Sequence, residues 1–92
     1  MTDDRIAAIY EEIEKNDPGK LAKEDLLHPN RTISGFLKLA SLLDCPAALD
    51  LCADHDVIYL SGELRLDITK EDIVYLFQCG IYHDDDGFYC FV

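Results

Sequence analysis

The sequence predicts an α+β fold: three or four N-terminal helices packed with a small antiparallel sheet of hairpins, and one helix between strands. Three observations lead there. Apolar residues recur at helical spacing through the first half of the chain. A β-branched and aromatic run, Val57-Ile58-Tyr59-Leu60, stands between Asp56 and Gly62. An Asp-Gly turn signal, Asp86-Gly87, splits an aromatic tail into two short strands. At 92 residues the chain holds a single domain spanning 1–92.

The first helix opens at Thr2, a capping residue followed by Asp3 and Asp4, both favoured by the positive end of the helix dipole. Ile6, Ile9, Tyr10 and Ile13 form its apolar stripe, and Asn16-Asp17-Pro18-Gly19 stops it. Leu21 to Leu27 reads as a short second helix, closed by His28-Pro29-Asn30. A third opens at Thr32 or Ser34, with Ile33, Phe36, Leu37, Ala40 and Leu43 on one side and Leu39 and Leu42 widening that face. Gly35 weakens its start by about 1 kcal/mol, which marks close packing against a neighbour. Pro46, suited to a first helical position, opens a further helix to about Ala53.

A strand follows from Asp56 to Ser61, and Glu63-Leu64-Arg65-Leu66-Asp67 alternates so that it could pair back through Ser61-Gly62. Thr69-Lys70-Glu71-Asp72 is the clearest local signal: Thr69 caps, Asp72 is the third helical residue, and Ile68 and Ile73 make a hydrophobic staple. That helix runs through Val74, Leu76 and Phe77 to Gly80, a left-handed stop. The Phe88-Tyr89-Cys90-Phe91-Val92 terminus is apolar to its last residue and is expected to be docked.

Charge excludes several function classes. Nineteen Asp and Glu against eight Lys and Arg leave a net −11 at pH 7. The imbalance is concentrated: residues 1–46 carry nine acids and six bases, and residues 47–92 carry ten acids against Arg65 and Lys70. Direct binding to nucleic acid needs Lys and Arg on phosphates, and an anionic membrane surface needs the same. At 49% hydrophobic the chain is too apolar for a disordered acidic tail. No apolar run approaches the roughly 18 residues of a membrane span. Met1-Thr2-Asp3-Asp4 lacks the basic, then apolar, start of a secretory signal, so a cytoplasmic location is expected. In that reducing compartment Cys45, Cys52, Cys79 and Cys90 stay free. The last three, lying among apolar neighbours, read as buried structural thiols.

The stretch from Asp54-His55-Asp56 into Val57-Ile58-Tyr59-Leu60, the capped helix from Thr69 to Cys79-Gly80, and the closing hairpin ending Phe91-Val92 resemble small bacterial and phage proteins of unassigned activity. The resemblance covers residues 36–92 and brings no catalytic motif. Size and acidity are similar to phage-encoded inhibitors, including anti-CRISPR and DNA-mimic proteins, by analogy alone.

Chemistry-bearing clusters are few. His55 and His83 with Asp56 or Asp84 would offer nitrogen and oxygen ligands to a borderline divalent ion if their strands were paired. Cys45, Cys52 and His55 match no standard zinc spacing. Read as ordinary structure, these are turn and strand-edge residues and an acidic hairpin loop. With Gly87 at position six, a calcium loop would run past Val92, so Asp84-Asp85-Asp86-Gly87 is no EF-hand. Ser34, Ser41 and Ser61 sit on no nucleophile elbow, the thiols lack basic neighbours, and no phosphate loop is present.

The reading that remains is a non-catalytic, cofactor-free acidic interaction module that engages a basic protein, such as one whose own ligand is nucleic acid. Its partner-binding residues are Asp54, Asp56, Glu63, Asp67, Glu71, Asp84, Asp85 and Asp86, with Tyr59, Tyr75 and Tyr82 as aromatic anchors. The alternatives are a metal-binding protein using His55 and His83, and a homodimer formed through the tyrosine-rich sheet or its edge.

Overall fold

The computed structural model describes residues 2–84 and 87–91. Helix α1 (Asp3–Lys15) begins where expected, the Thr2 hydroxyl accepting from the Arg5 N–H at 3.2 Å, and buries Ile6, Ile9, Tyr10 and Ile13. Residues 21–27 do not form an α-helix. They hold one 3₁₀ turn, Lys23–Asp25, with no buried residue. A segment this short gains helical structure only by packing an apolar face, and Leu27 is left exposed.

Helix α2 (Arg31–Ser41) is capped by Asn30, whose Oδ1 accepts from the Ile33 N–H at 3.1 Å, two residues before Thr32 and four before Ser34, the expected caps. Ser34 has a different task. It is buried, its hydroxyl donating to the His28 carbonyl at 2.7 Å and accepting from the His28 N–H at 2.8 Å. The inward face is shifted from the expected one: Leu39, Leu42 and Leu43 are buried as expected and Gly35 joins them, whereas Ile33 and Leu37 are exposed. Gly35 explains the rotation. A Cβ there would stand 2.8 Å from Ile81 Cγ1 and 3.0 Å from Cys79 Cβ, so the helix seats its bare backbone against that corner and turns the opposite side outward.

The helix expected from Pro46 to Ala53 is a single 3₁₀ turn, Pro46–Ala48, followed by strand β1 (Asp50–Asp54). Strand β1 pairs with β2 (Val57–Ser61) through a two-residue turn at His55-Asp56, with Asp54 opposite Val57. Ala47, Ala48 and Leu49 favour helix, yet only one turn forms, because pairing with β2 extends the chain from Asp50 onward. The segment 63–67 consequently does not pair with β2. Leu64 forms one isolated bridge to Leu43, reinforced by Asp44 N–H to the Glu63 carbonyl at 3.0 Å and Arg65 N–H to the Leu42 carbonyl at 2.8 Å.

Helix α3 (Lys70–Gln78) carries the full capping box: Asp72 N–H donates to Thr69 Oγ1 and Thr69 N–H to Asp72 Oδ2, while Ile68 and Ile73 are buried. Gly80, at φ +82°, ends it as a Schellman turn, with Ile81 N–H on the Leu76 carbonyl and Gly80 N–H on that of Phe77. Strands β3 (Tyr82–Asp84) and β4 (Gly87–Phe91) close the chain as an antiparallel hairpin. Asp85 and Asp86, expected in its loop, lie outside the described residues, as does Val92.

The protein is thus α+β, with three α-helices and a four-stranded antiparallel sheet ordered β1-β2-β4-β3 among the described residues. Ile58, Leu60, Phe88 and Cys90 on one sheet face join Ile6, Ile9, Ile13, Leu39, Ile73, Leu76 and Ile81 in one core. Tyr10, also buried, donates its hydroxyl to the Ile81 carbonyl at 2.8 Å, and burial pushes its phenol far above the usual range. All four thiols are free. Cys79 and Cys90 are buried and burial raises both, but Cys52 is exposed, contrary to its apolar neighbours, because it lies on the edge strand. Among the described residues no helix is long and apolar enough to cross a membrane.

Candidate interaction surface

Strand alternation divides the sheet into two unlike faces. Register places Leu51, Ala53, Ile58, Leu60, Phe88, Cys90 and His83 on the helix side. The other face carries Asp50, Cys52 and Asp54 from β1, Val57, Tyr59 and Ser61 from β2, Tyr89 and Phe91 from β4, and Tyr82 and Asp84 from β3. No residue on this second face is buried, and Phe91 is 62% exposed. Its aromatic rings touch in a continuous strip across three strands: Tyr59 to Tyr89 at 6.3 Å, Tyr89 to Tyr82 at 5.7 Å, and Phe91 to Tyr89 at 5.6 Å and to Tyr82 at 6.0 Å. Phe77 from α3 abuts the far end, edge-on to Tyr82 at 5.8 Å.

Carboxylates flank this strip on both sides. Asp50 and Asp54 stand on the β1 side. On the β3 side the Tyr89 hydroxyl is pushed up first by burial, then by the nearby charge of Asp84, with Glu14 contributing as well. Glu14 and Asp84 also line an open cleft of about 460 Å³ together with Asp3, Asp4, Glu11, Tyr10 and His83. A second cleft of about 600 Å³ continues past Asp3 and His83 to Asp44 and Glu63. Neither lining includes a Lys or Arg among the described residues. Several cations are engaged elsewhere: Lys38 on Asp72 at 2.8 Å, Lys70 on Glu12 at 2.6 Å, Arg65 on Asp67 at 3.2 Å, and Arg31 on the carbonyls of Gln78 and Leu21.

The residues singled out from sequence are therefore not all neighbours. Tyr59 and Tyr82 lie in the open strip, and Asp54 and Asp84 at its two sides. Asp56 is exposed in the β1–β2 turn, and Glu63 belongs to the second cleft. Asp67 is paired with Arg65, which offsets its charge. Glu71 lies beside Lys70, Val74 and Tyr75 on the outer side of α3. Tyr75 is a structural clasp: its hydroxyl accepts from the Leu27 N–H at 3.0 Å and donates to the Asp25 carbonyl at 3.3 Å, under Lys38 at 5.4 Å from the ring centre. Asp85 and Asp86 lie outside the described residues. Sequence reasoning missed Tyr89 and Phe91 as anchors, although their alternation with Phe88 and Cys90 carried the signal. It also missed the acids of α1, because a near-neutral first half hides carboxylates that helical spacing gathers on one side.

The metal reading meets a geometric obstacle. His55 lies in the turn closing β1 and β2, while His83 pairs with Phe88 on the outermost strand at the other edge, with β2 and β4 between. Antiparallel order separates the two by the sheet's width of about 15 Å. Among the described residues no group of three or more His, Cys, Asp or Glu is placed to hold a metal ion.

No protein-family model, curated protein or solved structure matches the chain.

Proposed function

We propose that this protein is a non-catalytic interaction module that receives a basic protein partner on its open sheet face. The observation that carries the reading is the uncovered strip of Tyr59, Tyr82, Tyr89 and Phe91, flanked by carboxylates on both sides. Tyrosine supplies large contact area at low entropic cost and is enriched where binding energy concentrates. The surrounding anions steer a cationic partner and repel an anionic one. An inhibitor that occupies the basic surface of a nucleic-acid-binding protein is the form this chemistry suits best.

The test compares the native chain with a triple variant carrying Tyr59→Ser, Tyr89→Ser and Phe91→Ser, positions on the open face and outside the core. A Lys- and Arg-rich host protein captured by the native chain and lost by at least tenfold with the equally stable variant supports the proposal. Its association should also slow steeply between low and about 0.3 M salt. Equal capture by both proteins, or association indifferent to salt, overturns it.

A further inference from the structure

Strands β1 and β3 are the sheet's two edges; β3 lies against α1, whereas β1 pairs only with β2 among the described residues, and its five residues are all exposed. Its outward groups follow from the hairpin. A two-residue loop makes its closing pair, Asp54 and Val57, exchange hydrogen bonds with each other. By alternation Cys52↔Tyr59 and Asp50↔Ser61 do likewise. The N–H and C=O groups of Leu51 and Ala53 then point away from the sheet, ready to accept another strand.

Charge decides what that strand is. Asp50 and Asp54 flank the exposed edge on the tyrosine-bearing face, and Leu51, 51% exposed, offers an apolar contact on the other. A second copy of this chain is a poor occupant. Antiparallel pairing centred on Cys52 sets Asp50 against Asp54 of the second copy twice over, and in-register parallel pairing sets each acid beside itself. Like charges directly opposite are destabilising. Oppositely charged residues at the same places gain, and there the cross-strand side chains approach most closely because they belong to non-hydrogen-bonded pairs.

We propose that β1 takes up an extended segment of the partner as a fifth strand. The segment has the pattern cation, apolar, small or polar, apolar, cation, its cations opposite Asp50 and Asp54. This rests on the reading of a basic partner and names how the partner is bound. Main-chain bonds to Leu51 and Ala53 supply affinity, and the two aspartates select the charge.

The experiment is a titration of the isotope-labelled full chain with the blocked peptide Arg-Val-Thr-Val-Arg, followed by amide shifts. Three comparisons accompany it: the peptide N-methylated at both valines, the peptide Glu-Val-Thr-Val-Glu, and the chain carrying Asp50→Asn with Asp54→Asn. The expected result is shifts centred on Leu51 and Ala53, at least tenfold weaker binding on N-methylation or with the Asn variant, and no binding of the Glu peptide. Unchanged affinity on N-methylation with shifts confined to Tyr59, Tyr82 and Tyr89 overturns strand addition while leaving the basic-partner reading standing. Equal binding of the Arg and Glu peptides, or none by either, overturns the inference outright.

Discussion

Gly35 and His55 are single positions where backbone geometry constrains the side chain. A methyl group at Gly35 would meet Ile81 Cγ1 at 2.8 Å, and that atom belongs to a fully buried side chain with little room to yield. Gly35→Ala therefore loses more to overpacking, about 1–3 kcal/mol, than the roughly 1 kcal/mol it gains in helix propensity. The urea midpoint should fall; a rise would mean the α2 contact is looser than described. His55 is the reverse case. It holds φ +57° in the first place of a hairpin turn, where a β-carbon is unfavourable and Asn is better tolerated. His55→Asn should stabilise the fold by a few tenths to about 1 kcal/mol, read from the same denaturation curve. Gly35 was legible in the sequence because a glycine inside a helical pattern asks for a reason. His55 was not, because the turn it occupies exists only once residues 50–54 are a strand.

At the level of elements, α3 shows how far local chemistry reaches. Its capping box needs only residues within one turn, so Thr69, Asp72, Ile68 and Ile73 were readable in place. Removing the cap with Thr69→Ala should cost about 1 kcal/mol in chemical denaturation. Asp72 also reaches across to α2. Burial alone would raise its carboxyl, but hydrogen bonds from Lys38 and Thr69 outweigh that and hold it below the ordinary range. Folding thus favours its ionised form, and the sign follows. The stabilisation is complete above about pH 4 and is lost as pH falls through the lowered folded value. Asp72→Asn should weaken the fold at neutral pH and flatten its stability loss below about pH 4. Where an element depends on a distant partner the local pattern misled. Pro46 to Ala53 carries a helix-opening proline and three alanines, yet the hairpin ladder to β2 makes its second half a strand. Residues 63–67 alternate like a strand and still serve as a connection, because β1 already occupies that side of β2.

For the whole molecule, solvent and charge test the arrangement together. Cys45 and Cys52 are exposed, Cys79 and Cys90 buried. A thiol reagent should label the first two at once and the others only at the rate of global opening, which mass spectrometry resolves. Four fast sites would show that the core around Cys79 and Cys90 is open. The first cleft gathers Asp3, Asp4, Glu11, Glu14 and Asp84 with no Lys or Arg in its lining among the described residues. Their mutual repulsion is screened by salt. Raising sodium chloride from low to about 0.5 M should lift the thermal midpoint by several degrees, as relief of roughly 1 kcal/mol would in a domain of this size.

Residues read in order were enough for the fold class, the net charge, the stripe of α1, the box and stop of α3, and the closing hairpin. The last three are written in residues a few places apart, within reach of one helical turn or one tight loop. Three-dimensional packing was needed to show which side of α2 faces inward, that residues 50–54 extend as an edge strand, and that Tyr59, Tyr82, Tyr89 and Phe91 share one open face. Those outcomes depend on the register of strands far apart in the chain and on the close approach at Gly35. Side-chain periodicity says that a residue alternates with its neighbours; strand order and helix packing say which of the two sides meets water.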